Sequence, residues 1–240
     1  MTRTGFFDGP LPRILAHRGL TLDAPENSVA AFRAALEAGA THLETDVRAT
    51  ADGEAVLVHD PRLGDDEIDG LTLAELRHRL PAVATVAEAL AALPTARFNV
   101  DVKALAAAAP LARAIREAGA AERVLITSFR GTRRRAALAL LPPVATSASS
   151  TGVAGALLGA ATRLQPVVTA ALARVDAVQL PLTTPVFDPT SERFLAMAHA
   201  AGVEVHYWVV NDPARMRWLV DRGADGVVTD RPDLAAGALR

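Results

Sequence analysis

The sequence predicts an α/β chain closed into a (β/α)8 TIM barrel, with a short insertion after the second strand. Three observations carry this. Eight short apolar segments alternate with helical ones, histidines and carboxylates recur where those segments end, and none is followed by the Gly-x-Gly-x-x-Gly turn of a doubly wound dinucleotide fold. At 240 residues, with no repeat or low-complexity linker, the chain suits one barrel domain over 1–240, with a short cap insertion at about 61–81.

Residues 1–11 read as a short lead-in, and 13–19 as a brief buried strand ending in His17-Arg18-Gly19. A loop containing Pro25-Glu26-Asn27-Ser28 follows, where Ser28 or Asn27 can cap an amphipathic helix that stops at Gly39. The next strand, His42-Leu43-Glu44-Thr45-Asp46-Val47-Arg48, organises the rest. Side chains alternate along a strand, so Glu44 and Asp46 share a face about 7 Å apart while Leu43, Thr45 and Val47 fill the other. Such a pair on an edge strand would simply be solvated. In a helix-covered strand the two acids must point into a barrel mouth, where like charges that close repel unless a cation offsets them.

Asp52-Gly53 marks a turn, and 55–60 is an apolar run that finishes in His59, as the first strand nearly finishes in His17. Residues 61–81 are the least regular region and read as a surface excursion with a short helical piece capped by Thr72. After a helix over 85–93, the third barrel strand, 97–103, places Asn99, Asp101 and Lys103 on one face. Strands at 124–129, 144–147, 177–180, 203–210 and 226–230 complete the eight. Helices fall at about 104–118, 132–140, 151–163, 190–201 and 213–222, and the stretch up to Val175 has no clear period. The strand ends at the C-terminal mouth of such a barrel carry His17, Glu44, Asp46, Asp101, Lys103 and Trp208.

Composition excludes several function classes. The net charge of −2 and half-hydrophobic content give no reason to expect a nucleic acid partner. Cysteine is absent, which removes disulfides, thiolate catalysis and cysteine-ligated zinc. No stretch approaches the roughly 20 apolar residues of a membrane span, and 1–8 lacks a signal-peptide core, so a cytoplasmic location is expected.

His17-Arg18-Gly19, Pro25-Glu26-Asn27-Ser28, Glu44-Thr45-Asp46-Val47, Asp52-Gly53 through Val58-His59-Asp60, and Asp225-Gly226-Val227-Val228-Thr229-Asp230-Arg231-Pro232 together resemble the glycerophosphodiester phosphodiesterase family. The resemblance runs from the first strand to the eighth. It implies a barrel that hydrolyses glycerophosphodiesters to glycerol 3-phosphate and an alcohol, with a divalent metal and two histidines. By the same resemblance, the neighbouring glycerol hydroxyl attacks first, giving a cyclic phosphate that water then opens. Phosphodiester hydrolysis needs a cation to gather phosphoryl charge, a base for the nucleophile and an acid for the leaving alkoxide. Glu44, Asp46 and Asp101 supply hard oxygen ligands for Mg²⁺ or Ca²⁺, and Glu26 adds a fourth or touches the glycerol. Arg18 suits bidentate grip on phosphate and Lys103 adds a point charge. His17 and His59 suit the base and acid roles, in either order. Trp208 is either a wall for the glycerol or barrel filler.

Other residues read as structural. His42, His78, His199 and His206 lack acidic company, Arg133-Arg134-Arg135 reads as a solvated helix face, and Asn211 and Asp230 read as loop and helix-capping groups. Two departures from the family pattern stand out: Asp101 where glutamate is usual, and an insertion lacking the Arg-Thr-Thr stretch, which implies a reduced cap. A lysophospholipase D-like or sphingomyelinase-like activity is the nearest alternative and a non-catalytic phosphate-binding barrel the next. The amidohydrolase barrels need a His-x-His pair that His17-Arg18-Gly19 does not supply.

Overall fold

The computed structural model of the chain describes residues 4–185 and 187–239; Met1, Thr2 and Arg3 of the expected lead-in lie outside them. Eight parallel strands form the barrel: β1 Arg13–His17, β2 His42–Ala49, β3 Phe98–Val102, β4 Val124–Thr127, β5 Ala145–Thr146, β6 Ala177–Pro181, β7 Glu204–Trp208 and β8 Gly226–Thr229. They pair in the order β5-β4-β3-β2-β1-β8-β7-β6. The ring closes between β5 and β6 through a parallel bridge at Ser147 and Ala177 and the Asp176 N–H donating to Thr146 O at 2.8 Å. The predicted barrel is therefore the observed one.

Alternation along each strand separates two interiors. Outward residues such as Leu43, Val47, Val100, Ile126, Val178 and Val205 join one buried cluster with helix residues Phe32, Leu111 and Phe194. Each such side chain, fully removed from water, contributes about 1.5–3 kcal/mol. Inward residues carry most of the buried charge. Arg13 and Glu204, both nearly inaccessible, form an ion pair of 2.6 Å, and His206 donates to Glu204 Oε2 at 3.2 Å. Gly226 makes room for this pair, because a Cβ there would stand 3.0 Å from Arg13.

The lead-in is part of the barrel. Residues Gly5–Phe7 form a 3-10 turn that drives Phe6 and Phe7 against Leu125, Ala145 and Ala177 at the floor. His42 donates to Phe6 O at 2.8 Å and Arg13 to Phe7 O at 2.7 Å, which gives His42 a structural role. Burial, first, and the neighbouring Arg13 push the His42 pKa down to about 3, so the ring stays neutral.

Around the barrel lie α1 Val29–Glu37, α2 Leu73–Arg79, α3 Val86–Ala92, α4 Ala108–Glu117, α5 Gly131–Leu138, α6 Ser150–Thr162, α7 Gln165–Ala171, α8 Glu192–Ala200, α9 Pro213–Asp221 and α10 Pro232–Leu239. Ser28 caps α1 by accepting from the Ala31 N–H, and Thr72 and Thr85 close capping boxes with Glu75 and Glu88. The unread stretch before Val175 holds α7. The last helix, α10, was not foreseen, although a proline in its first position marks its start.

The apolar run 55–60 stands outside the eight barrel strands and is shorter than it reads: only Ala55–Leu57 is extended, and it pairs antiparallel with the overhanging end of β2, Val47 opposite Leu57. The region 61–81, with its helix capped by Thr72, also folds a small hairpin, Arg62–Leu63 with Asp66–Glu67, and packs over a second core of Val56, Ile68 and Leu76. In the arginine run, Arg133 and Arg134 are half-buried and Arg134 donates to Thr146 Oγ1 at 3.1 Å, so that face is not simply solvated.

Candidate active site

At the C-terminal ends of the strands a cavity of about 540 Å³ opens to solvent, lined by His17, Arg18, Glu44, Asp46, His59, Asp101, Lys103 and Trp208 among others. Sheet register assembles it. His17 stands opposite Glu44 and Glu44 opposite Asn99 across β1, β2 and β3, and one step further up Asp46 stands opposite Asp101. Two acids on alternate positions of β2 and one on β3 therefore face the same space.

The loop after β1 is held in place by backbone. Arg18 is left-handed (φ 58) and Gly19 follows at φ 94, where a Cβ would press to 2.7 Å from Ala31. The Arg18 N–H donates to Glu44 O at 3.0 Å and its carbonyl accepts from the Asn27 N–H at 2.9 Å. Asn27, also left-handed at φ 56, then braces β2: its Oδ1 accepts from Thr45 Oγ1 at 2.7 Å and its Nδ2 donates to Asp46 Oδ2 at 3.3 Å. A non-glycine left-handed residue costs on the order of 1–2 kcal/mol, and here two are retained beside the same carboxylate.

His59 reaches the site by the hairpin. The returning arm places the Val58 N–H on Asp46 O at 3.1 Å, so the next residue sits over the mouth, and Arg48 Nε donates to His59 O at 2.9 Å. Each histidine is held at one nitrogen by an aspartate: His17 Nδ1 lies 2.7 Å from Asp230 Oδ1, and His59 Nδ1 lies 2.7 Å from Asp60 Oδ1. His17 Nε2 is thereby directed to the acids, 4.0 Å from Glu44 Oε2.

Charge in the cavity is tightly coupled. Lys103 Nζ lies 2.6 Å from Asp101 Oδ2 and 3.0 Å from Asp46 Oδ1, and Arg18 Nε lies 3.0 Å from Asp46 Oδ2. Arg18 Nη1 also donates to both oxygens of Glu26, at 3.2 and 3.1 Å. Burial, with Asp46 and Asp101 alongside, pushes Glu44 well above the ordinary carboxylate range. Burial also raises Asp101, only partly offset by Lys103, while for Lys103 itself the two aspartates outweigh burial and raise the ammonium pKa. Among the described residues no three or more acidic or histidine side chains are already gathered in a metal-holding group. The donor set nonetheless suits a hard dication, since Asp101 Oδ1 is buried without a hydrogen-bond partner and Glu44 and Asp46 present further carboxylate oxygens beside it.

The family model of the glycerophosphoryl diester phosphodiesterase family matches residues 17–234. The chain belongs to this family. It is 39% identical to "Probable glycerophosphodiester phosphodiesterase 2" of Mycobacterium tuberculosis over 94% of this chain and 89% of that one. With the glycerophosphodiester phosphodiesterase of Caldanaerobacter subterraneus the identity is 27% over 95% and 97%. Its fold matches a phosphodiesterase of Oleispira antarctica solved in complex with the product sn-glycerol-3-phosphate (TM-score 0.77, 23% identity, covering 95% of this chain and 97% of that one). It also matches the Thermotoga maritima glycerophosphodiester phosphodiesterase (TM-score 0.76, 22%, covering 97% and 100%).

Against that family frame, all the residues singled out in the sequence line the one cavity except Glu26, which stands behind Arg18 as its ion-pair partner. No residue of 61–81 lines it. Trp208 meets Phe129 edge to face, centroids 5.7 Å apart, and both line the cavity. Of the two cap candidates for α1, Ser28 takes the role and Asn27 braces β2, and the loop and capping groups Asn211 and Asp230 also have a part at the site. Asp212 caps α9, while Asn211 Nδ2 donates to Asp230 Oδ2 at 2.7 Å and so fixes the carboxylate that holds His17. Only the closing motif from Asp225 to Pro232 hinted at this.

Proposed function

We propose that this chain hydrolyses glycerophosphodiesters to glycerol 3-phosphate and an alcohol in this cavity. The observation that carries the reading is His17, anchored at Nδ1 and presenting Nε2 beside Glu44, on a wall that also holds Asp46 and Asp101. Glu44, Asp46 and Asp101 hold a divalent cation, Mg²⁺ or Ca²⁺, which when bound neutralises phosphoryl charge and admits an anionic substrate. Arg18 and Lys103 grip the phosphate oxygens, Glu26 sets the Arg18 guanidinium, and Trp208 packs on the glycerol carbons.

One histidine takes the proton of the attacking hydroxyl as a new P–O bond forms. The other gives a proton to the departing alkoxide as the old P–O bond breaks. If the attacker is the adjacent glycerol hydroxyl, a cyclic phosphate results, and water opens it with the two roles reversed. Free Nε2 on both imidazoles supports this division of labour. The test is product analysis: glycerophosphocholine and glycerophosphoethanolamine should each yield glycerol 3-phosphate, and Glu44→Gln should yield none. Release of free glycerol with a phosphorylated alcohol, or no cleavage at all, overturns the proposal.

A further inference from the structure

Strand β3 turns two acceptor oxygens into the barrel that no hydrogen bond satisfies. Asn99 and Asp101 are two residues apart, so their side chains leave the same face, about 7 Å from one another along the strand. Asn99 is 2% exposed and Asp101 5%. Both line the cavity, and Asn99 Oδ1 and Asp101 Oδ1 are each buried with no hydrogen-bond partner among the described residues. A buried acceptor in that state calls for an ordered water or a cation. Register leaves the amide oxygen without a donor. Asn99 stands opposite Glu44 on β2 and Leu125 on β4. Leu125 is apolar, and Glu44 and Asp101 as carboxylates only accept. The Lys103 ammonium is engaged by Asp101 Oδ2 and Asp46 Oδ1, at 2.6 and 3.0 Å.

We propose that Asn99 Oδ1 is a direct ligand of the divalent cation, a fourth protein oxygen beside those of Glu44, Asp46 and Asp101. This rests on the metal-dependent reading of the cavity and adds a residue to it. Asp101 is a short acid, so a cation that it holds lies close to β3, and the neighbouring inward side chain toward the floor of that strand is Asn99. A carboxamide oxygen is a hard donor of the kind that Ca²⁺ takes alongside carboxylates. Being neutral, it joins the wall without adding to the mutual repulsion of the three acids. The same ion then satisfies both unpartnered oxygens of β3, which Lys103 does not reach.

The experiment follows metal binding, not turnover. Tb³⁺, a hard ion that stands in for Ca²⁺, is titrated into chelated protein, and its luminescence lifetimes in ordinary and heavy water count the waters bound to it; calorimetry gives the Ca²⁺ affinity. Asn99→Ala should admit one more water to the bound Tb³⁺ and weaken Ca²⁺ binding about tenfold or more, since losing even an outer-shell partner of a metal costs that much. Asn99→Asp keeps an oxygen at the same reach and removes the amide hydrogens. It should keep the wild-type water count and bind Ca²⁺ at least as tightly, whereas an asparagine retained for its N–H groups would not be replaced by it. Melting curves of the metal-free proteins show which variants fold, and Asn99→Asp decides alone if Asn99→Ala does not. An unchanged water count in Asn99→Ala, as ordered water at Oδ1 would give, overturns the ligand role, and so does an Asn99→Asp protein that folds but binds no Ca²⁺. The metal reading survives either result as long as Glu44→Gln abolishes Tb³⁺ binding. If the wild-type protein binds neither ion, or Glu44→Gln binds them as the wild type does, that reading fails and this inference with it.

Discussion

His17 Nδ1 and Asp230 Oδ1 are 2.7 Å apart and 213 residues apart in sequence, joining the end of the first barrel strand to the residue after the last. The hydrogen bond from His17, together with the one from Asn211 Nδ2, holds the Asp230 carboxyl below the usual range. An anion at Nδ1 fixes the tautomer that presents Nε2 and steadies the ring as it gains a proton.

Asp230→Asn should therefore lower kcat by about 10- to 100-fold with little change in KM, short of the 10²-fold or greater loss for removing the imidazole itself. Asn211→Ala should show a smaller loss of the same kind. Steady-state kinetics on glycerophosphocholine reads both, and an Asp230→Asn enzyme with wild-type kcat would show that the contact is only a structural tie.

His17→Ala and His59→Ala should each reduce kcat about 10²-fold or more on natural diesters. They should separate on a glycerophospho-nitrophenyl ester, whose leaving group needs no proton: the variant lacking the general acid recovers and the variant lacking the base does not. Recovery of both, or of neither, contradicts the division of labour.

The floor of the barrel sets an acid limit on stability. Burial by itself raises the Glu204 carboxyl, but hydrogen bonds from Arg13 and His206 overcome it and hold the pKa at about 2. A folded-state pKa below the unfolded value of about 4.3 adds stability that is fully present above pH 5 and disappears as pH falls through 2. The difference corresponds to about 3 kcal/mol. Glu204→Gln should cost about 3–5 kcal/mol at pH 7, since it strands the buried Arg13, and should flatten the acid dependence. Urea unfolding at pH 7, 4 and 2.5 measures it, and a variant that keeps the wild-type acid slope would contradict the assignment.

What the sequence revealed was what strand alternation carries. Glu44 and Asp46 on β2, and Asp101 and Lys103 on β3, follow from period two and adjacency, and the barrel from eight such segments. His59 was legible only as the end of an apolar run, because a hairpin off the barrel end leaves no mark in the strand period. Asp230 was missed since only ring closure sets β8 beside β1, and an acid two residues before a proline reads locally as a cap. The Phe6-Phe7 floor was hidden in the same way, because only the closed ring brings Leu125, Ala145 and Ala177 together over it.

The central claim is that the wall of Glu44, Asp46 and Asp101 works only with a dication bound. Burial and mutual repulsion raise Glu44 and Asp101, so the empty wall loses stability as pH rises through their elevated folded pKa values, and a bound cation should restore it at neutral pH more than at pH 5. The direct measurement is glycerol 3-phosphate release from glycerophosphocholine by exhaustively chelated protein, before and after Mg²⁺ or Ca²⁺ is returned, alongside Tm. The account predicts no release until metal is added, then recovery with a rise in Tm that Glu44→Gln lacks. Full activity in the chelated protein would contradict it.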